Sequence, residues 1–296
     1  MAKQKLHSGE ILLLLAIAQF MVVLDSTIVN VALPSIGKAL LFSAENLQWV
    51  VTAYTLTLGG FLLFGGRAAD LFGRRKVFML GVAGFTIASF LNGISQSEGM
   101  IIAFRALQGL SAAFMSPAAL SIILSTFKEG KERNRALGVW GGVAAGGAAA
   151  GLLLGGILTE WLSWRWNFFV NVPVGIALLY FTPRIIPESK INLKHMHLDL
   201  QGALLVTSGL MLLVYGLVKA PHYGWGDPHT LGFISASIVL LTAFVINEAR
   251  SKQPLMPLHI FKNRNLRSAN IVQFTITASM FSMFFFLSLY IQTVLN

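Results

Sequence analysis

Nine long apolar runs occupy most of this 296-residue chain and limit it to a membrane-embedded fold. A helix rises 1.5 Å per residue, so about 20 apolar residues cross the hydrocarbon layer of a bilayer. Only 11% of the residues are charged, against about 25% in soluble domains. We therefore predict an all-α integral membrane protein. The runs lie at residues 11–33, 47–66, 77–95, 100–127, 136–159, 166–182, 200–218, 231–247 and 268–295.

The positively charged residues favour one orientation in the membrane. The amino terminus and the loops near residues 70, 130, 190 and 260 hold 18 of the 22 Lys and Arg residues. The alternate loops hold only Lys38, Arg165 and Lys219. Loops rich in Lys and Arg face the cytoplasm, so we predict a multi-pass protein of the cell membrane with a cytoplasmic amino terminus. The basic residues form no stripe with interleaved aromatics, so the net charge of +10 does not indicate a nucleic-acid partner.

Two charged residues, Asp25 and Arg105, lie well inside the apolar runs. A charge at bilayer depth costs about 3 kcal/mol or more, and such residues usually serve ion or substrate movement. Counting residues along each run places the two side chains at nearly the same depth. A carboxylate beside an opposite charge is suited to gaining and losing a proton, and Gln108 makes the helix face of Arg105 polar. An inert buried ion pair is the alternative interpretation.

Two segments, residues 65–78 and 155–168, resemble each other at an offset of 90 residues. Four of their fourteen positions are identical, and one of these pairs Arg75 with Arg165. The segments are three spans apart and therefore lie on opposite sides of the membrane. An inverted three-plus-three repeat of a secondary transporter requires this arrangement. Chance similarity is the alternative.

Glycines recur every four residues on two faces of the fifth run. Small residues let helix backbones approach closely in a bilayer, and they also permit bending. The pattern therefore indicates close helix packing, a gating role, or both. Pro117 in the fourth run favours a kink. The two glycine faces are Gly138, Gly142 and Gly146, and Gly147, Gly151 and Gly155.

Four sequence blocks follow one another in a fixed order: LDSTIVNVALPSI, GRAADLFGRRK, RALQGLSAA and GLLLGGILTEWLSWRWNFFVNVPVG. Together they resemble the signature blocks of the drug:proton antiporters of the major facilitator superfamily, in the fourteen-spanner subfamily. The resemblance implies a secondary active transporter for multidrug efflux. Such a protein exports drugs or other amphipathic small molecules in exchange for protons, needs no cofactor beyond the proton gradient, and acts as a monomer. A lone carboxylate among Phe- and Met-rich helices suits amphipathic organic cations. Tetracycline-like drugs, anionic drugs and lipids stay open as substrates.

The resemblance also assigns roles to particular residues. Asp25 with Thr27 falls on the first-helix block, where the acid is a proton or cation site. Arg105 with Gln108 falls on the block that the family links to proton coupling. The second block resembles a conformational latch, whose acid meets cationic side chains and a helix amino terminus in the opposite half. The latch residues are Gly66, Asp70, Gly73, Arg74 and Arg75.

The fifth-helix block departs from the family pattern at one position. The family usually has Gly-Pro-x-x-Gly-Gly there, and in this chain Leu152 replaces the Pro. The small residues Gly151, Gly155 and Gly156 remain, but the kink that Pro supplies is lost. Strict antiport is therefore less firmly implied than the fold.

The runs at 200–218 and 231–247 match the two extra helices of the fourteen-spanners, and we interpret them as peripheral to the substrate path. We predict an amino-terminal six-helix bundle at 1–186, two extra membrane helices at 187–250, and a basic linker with the first helix of a second bundle at 251–296. Alternating access requires two complete bundles. We therefore expect the sequence to be partial, truncated after the ninth span, and unable to transport alone.

Two other classes of function stay open at the level of sequence. A scaffold or sensor derived from a transporter, or an inactive truncated product, would tolerate loss of Asp25. A membrane enzyme would need a nucleophile, a base or metal ligands, and the chain has no Cys. We interpret His195 and His197 as solvated residues of a cytoplasmic linker and expect no metal site. Because the sequence has no P-loop motif, it gives no support to direct ATP drive.

Overall fold

A computed structural model describes residues 2–189, 199–251 and 254–290, and its regular structure is entirely helical. His195 and His197 lie outside the described residues. Among the described residues, eight stretches are long and apolar enough to cross a membrane, in agreement with the first eight predicted runs. The helices are α1 Ala2–Ala39, α2 Ala44–Leu47, α3 Trp49–Phe72, α4 Arg74–Gly93, α5 Glu98–Thr126, α6 Lys131–Trp161, α7 Trp166–Phe169, α8 Asn171–Ile185, α9 Leu200–Tyr223, α10 Pro228–Arg250 and α11 Arg264–Tyr290, with a 3₁₀ helix at Leu258–Lys262.

Some helix bounds differ from the apolar runs. The first helix extends beyond its run at both ends, because a helix does not stop where the hydrocarbon layer stops. The sixth run is divided into α7 and α8 at Val170. Pro173 lacks the N–H that would bond to the Phe169 carbonyl, so the helix is interrupted there. The ninth run coincides with α11 as far as residue 290, and its last residues lie outside the described range.

The first six spans pack around α5 and α1. The α5 helix lies against α3 and α4, whereas α1 lies against α6 and α8. Two apolar clusters fill the interior, one including Met21 and Val22 and the other including Leu24 and Ile28. Asp25 therefore lies on α1 where the two clusters meet.

Glycines allow α3 and α5 to approach at backbone distance. A Cβ built on Gly109 would overlap the carbonyl of Tyr54, and one built on Gly65 would overlap the carbonyl of Ala113. Such contacts supply van der Waals attraction where lipid removes the hydrophobic drive between helices. They bring α3 close enough to take part in the site around Arg105.

Two arginines join α4 to the sixth span, which consists of α7 and α8. Arg75, at the start of α4, donates to the Ile186 carbonyl at the end of α8, at 3.2 Å. Arg165, just before α7, donates to the carbonyls of Gly93 and Ser95 at the end of α4, at 2.8 and 2.7 Å. A cation at a helix carboxyl terminus complements the helix dipole. Each arginine thus stabilises the end of a helix in the other three-span segment, and the inverted repeat itself stays a prediction.

The helices α9 and α10 form a hairpin beside the bundle. The α9 helix packs against α10 and against α3. Its Thr207 hydroxyl donates to the Gly60 carbonyl at 2.7 Å, and the rings of Trp49 and Tyr215 lie 5.7 Å apart. The hairpin therefore attaches to the bundle through one helix. The division of the chain at residues 186 and 250 stays a prediction.

Candidate functional site

The structure brings Asp25 and Arg105 into direct contact. Arg105 Nη1 donates to Asp25 Oδ2 at 2.6 Å, and both side chains are 0% exposed. Asp25 comes from α1 and Arg105 from α5, and the two residues are 80 positions apart in the sequence. The two side chains that the sequence places at nearly equal depth therefore form a buried ion pair.

Amide side chains hold the second oxygen of the carboxylate. Asp25 Oδ1 accepts from Gln108 Nε2 at 2.8 Å and from Asn171 Nδ2 at 2.9 Å. Ser89 Oγ accepts from the same two amide groups, each at 3.0 Å, and its hydroxyl donates to the Phe168 carbonyl at 3.1 Å. Both carboxylate oxygens therefore have partners from helices other than α1. A buried charge is tolerated under these conditions.

Arg105 is held by more than its carboxylate. Its Nε donates to the Val50 carbonyl at 2.9 Å, and Nη1 also donates to Gln108 Oε1 at 2.8 Å. The guanidinium carbon lies 4.2 Å from the centre of the Tyr54 ring, within the range of a cation–π contact. Its Nη2 is buried without a hydrogen-bond partner within the described part of the chain.

Sequence reasoning missed three polar members of this site. Asn171 bonds to Asp25, Ser89 bonds to Gln108 and Asn171, and Asn92 Nδ2 donates to Gln108 Oε1 at 3.0 Å. All three are fully buried or nearly so. The available signal was an amide or hydroxyl inside an apolar run. It is a weaker signal than a charge because such groups cost less to bury.

Thr27 does not join the polar cluster. Its hydroxyl donates to the Val23 and Leu24 carbonyls of its own helix, at 3.1 and 3.0 Å. Two residues along a helix turn about 200°, so Thr27 faces α6 whereas Asp25 faces α5. Its assignment to a cation site stays a prediction without geometric support.

The two glycine faces of α6 have different surroundings. Gly147, Gly151 and Gly155 lie against α1, and a Cβ built on Gly151 would come within 2.9 Å of the Leu24 carbonyl oxygen. Gly142, Gly146 and Gly156 have no atom within 4 Å of such a Cβ in the described part of the chain. One face therefore holds α6 against the helix that carries Asp25. The role of the open face stays a prediction.

Replacing Gly151 with Ala is expected to destabilise the chain by about 1 to 3 kcal/mol, because the added methyl overpacks the contact of α6 with α1. Gly146→Ala is the matched control on the same helix. It adds a methyl in open space, so helix propensity stabilises it by up to about 1 kcal/mol. Thermal unfolding of both variants in lipid nanodiscs, followed by circular dichroism, measures the difference. Equal midpoints would contradict the assignment of the packed face.

The latch residues lie around the short turn between α3 and α4. Asp70 Oδ1 lies 3.4 Å from Arg74 Nη2 and 3.4 Å from Ser121 Oγ. Gly66 lies beside Pro117 of α5, at an ordinary van der Waals distance for a built Cβ. The described chain thus pairs Asp70 with an arginine of its own loop. A partner in an opposite half stays a prediction.

Glu188 is a further acid at this loop that sequence reasoning did not assign. Its carboxylate accepts from the backbone N–H groups of Arg75 and Lys76, at 3.1 and 3.2 Å, at the start of α4. An anion at a helix amino terminus complements the dipole and satisfies free N–H groups. Gly73 has φ +109°, and a Cβ there would lie 2.8 Å from Glu188 Oε1. The glycine therefore permits both the turn and the cap.

The fold and the site together define a polytopic helical membrane protein with a buried ion pair between two of its spans. The sequence matches the family model of the Major Facilitator Superfamily over residues 15–296, and the chain belongs to this family. This family assignment and the all-α fold agree with the resemblance drawn from the four sequence blocks.

Similar proteins include antibiotic resistance and export proteins. The chain is 43% identical to the puromycin resistance protein pur8 of Streptomyces alboniger, over 96% of this chain and 56% of that protein. It is 39% identical to the tetracenomycin C resistance and export protein of Streptomyces glaucescens, over 96% of this chain and 52% of that protein. The chain therefore spans about half the length of these relatives.

A solved structure has the same fold. It is a bacterial homolog of the human lysosomal transporter Spinster, in an inward-facing and unoccupied conformation. The TM-score is 0.52, over 82% of this chain and 63% of that one, with 18% sequence identity. At this identity the likeness concerns the fold alone.

Proposed function

We propose that the complete protein exports amphipathic small molecules in exchange for protons. The observation that carries this proposal is the buried pair of Asp25 and Arg105, held by amide groups from neighbouring helices. An ionisable pair inside a membrane bundle is costly and usually belongs to an ion or proton pathway. The names of the two relatives, which refer to resistance and export, support the same direction of transport.

Burial favours a proton over a substrate as the ligand of Asp25. The glycine face of α6 that includes Gly142 and Gly146 has open space beside it in the described part of the chain. The Asp25 carboxylate, in contrast, is 0% exposed. Asp25 therefore does not lie on the open side of the bundle. A proton reaches such a group along a narrow, transient water path, whereas a drug-sized molecule would have to separate packed helices.

The ion pair also bears on the substrate class. Arg105 compensates the charge of Asp25, so the site carries no net charge that would attract an organic cation. We therefore propose amphipathic molecules selected by shape and apolar surface, without a requirement for positive charge. The 22 Phe and 10 Met residues suit such adaptable recognition.

We place the protein in the cell membrane with its amino terminus in the cytoplasm, on the evidence of its charged loops. Transport is proposed for a monomer that contains a second bundle. The described helices α1 to α8 would supply the first bundle, the hairpin α9–α10 would lie at its side, and α11 would begin the second bundle. In this proposal the proton gradient supplies the energy for transport, and the mechanism needs no cofactor.

Drug flux in proteoliposomes tests the function. The protein with both bundles is reconstituted, and puromycin export is followed with and without a pH difference across the membrane. We expect export that depends on the pH difference and that stops when a protonophore collapses it. Equal export in both conditions would overturn proton exchange, and no export with any of several amphipathic drugs would overturn the substrate class.

A further inference from the structure

Two acidic residues meet at the base of the α9–α10 hairpin, away from Asp25. Asp199 precedes α9 and caps it, because its Oδ1 accepts from the Gly202 N–H at 2.7 Å. Its Oδ2 accepts from Asn247 Nδ2 of α10 at 2.8 Å. Asp199 thus connects the beginning of one helix to the end of the other.

Glu248 of α10 is the second acid, and one of its oxygens has no partner. The residue is only 3% exposed. Its Oε2 accepts from the Met256 N–H at 2.7 Å, which attaches the following linker to the hairpin. Its Oε1 is buried without a hydrogen-bond partner within the described residues. A buried carboxylate oxygen that lacks a donor is costly, so this atom calls for a ligand.

The free oxygen of Glu248 and one carboxylate oxygen of Asp199 lie beside the same glycine, Gly202. A Cβ built on Gly202 would lie 2.8 Å from Glu248 Oε1 and 2.9 Å from Asp199 Oδ2. The two oxygens therefore converge on one small space that only a glycine leaves open. No Lys, Arg or His side chain is paired with either acid within the described ranges. Asp199 is part-buried and Glu248 is buried. Two like charges that share one site do not both ionise readily, and a shared proton removes the conflict.

We propose that Asp199 and Glu248 form a second proton-binding site. The proton resides on Glu248 Oε1 and is donated in a hydrogen bond to Asp199 Oδ2. It comes from water and returns to water, so the only bond that forms or breaks is an O–H bond. A cavity of about 410 Å³, lined by Glu248, Pro254 and His259 among others, gives water access to this end of the hairpin.

The surrounding charges favour a proton over a metal ion. Asp199 is the described acid that faces Glu248 from α9, and His259 lines the same cavity from the 3₁₀ helix. Arg250 is exposed at the end of α10. The described residues contain no group of three or more His, Cys, Asp or Glu that would hold a metal ion. Two carboxylate oxygens with amide donors around them match the needs of one shared proton.

Loss of the proton would loosen the linker. Both acids would then be charged, and their repulsion would move Glu248 away from the position in which it accepts from Met256. The linker leads through the 3₁₀ helix at Leu258–Lys262 into α11. Protonation of this site would therefore fasten the linker to the hairpin, and deprotonation would release it.

A spin label on the linker tests the site without any measurement of transport. The chain has no Cys, so Met256→Cys provides a single attachment point, and its backbone N–H remains available to Glu248. Electron paramagnetic resonance of the full chain in nanodiscs reports the mobility of the label as the pH is raised. We expect one transition from low to high mobility.

Two variants decide the outcome. Glu248→Gln should abolish the transition with the label immobile, because the amide oxygen accepts from Met256 and the amide nitrogen donates to Asp199, as the protonated acid does. Asp199→Asn keeps the helix cap and should also abolish the transition, because without the like charge the loss of the proton no longer drives Glu248 away from Met256. Glu129→Gln changes an acid with 86% side-chain exposure and is the matched control, with no expected change.

Infrared difference spectroscopy supplies a direct readout. We expect the carbonyl band of a protonated carboxyl group to disappear across the same transition and to be missing in Glu248→Gln. An unchanged pH profile in both Glu248→Gln and Asp199→Asn would overturn the proposal. A mobility change driven by sodium concentration at constant pH would also overturn it, because the ligand would then be a metal cation.

Discussion

Replacing Asp25 with Asn is expected to abolish proton-dependent export by the protein with both bundles. Asn has nearly the same shape as Asp, but its single acceptor oxygen can accept either from Arg105 or from the amides of Gln108 and Asn171, and not from both sides at once. It cannot take up and release a proton. Export of puromycin against a pH difference, measured in proteoliposomes, should fall to the level of empty vesicles.

The same substitution carries a cost in stability that must be separated from the loss of function. Arg105 would remain charged and 0% exposed without its carboxylate. Breaking a buried ion pair on one side costs about 3 to 5 kcal/mol, and an arginine cannot lose its proton to escape that cost. Thermal unfolding in nanodiscs should therefore show a lower midpoint for Asp25→Asn.

A double variant separates the two effects. Asp25→Asn combined with Arg105→Met removes both charges and fills the space of the guanidinium with an apolar side chain. It should regain much of the lost stability, because neither partner is then left as an unpaired charge. Export should not return. If the double variant exports with a normal pH dependence, the pair is an inert structural contact and the proton site lies elsewhere.

The sequence predicts the pair but not its full environment. Depth along a membrane helix follows from counting residues, so the equal level of Asp25 and Arg105 can be calculated. Rotation about the helix axis and the choice of neighbour cannot, because apolar residues surround these helices on all sides. For this reason Thr27 is grouped with Asp25 in the sequence but faces α6 in the structure. Asn171 is placed by the break between α7 and α8, which the apolar pattern does not indicate.

The sequence predicts the membrane spans of the fold but not the contacts between distant segments. The eight spans follow from hydropathy, because the bilayer requires every backbone group to be satisfied within a helix. The cap that Glu188 provides for α4 depends on two segments more than a hundred residues apart. The same holds for the meeting of Asp199 with Glu248. Such contacts depend on how helix ends are arranged in three dimensions, and a linear pattern of hydropathy does not contain this information.

Replacing Arg105 with Met is expected to shift the pH profile of export to more alkaline values while retaining part of the transport. Without the guanidinium, Asp25 is a buried carboxylate that lacks an opposite charge, so it keeps its proton more firmly. An opposite charge at hydrogen-bond distance favours the ionised form of a carboxylate, so its loss moves the titration to higher pH. The rate of puromycin export as a function of pH, in the protein with both bundles, measures the shift.

The two halves of the ion pair should differ in their effect on stability. When Arg105 is lost, Asp25 becomes neutral by taking up a proton, whereas Arg105 has no such escape when Asp25 is lost. Arg105→Met should therefore unfold at a higher temperature than Asp25→Asn. Arg105→Lys is the matched control: it keeps the charge but loses the fork that reaches Asp25, Gln108 and the Val50 carbonyl together. It should show a smaller pH shift than Arg105→Met.

An unaltered pH profile in Arg105→Met would show that the guanidinium does not set the proton affinity of Asp25.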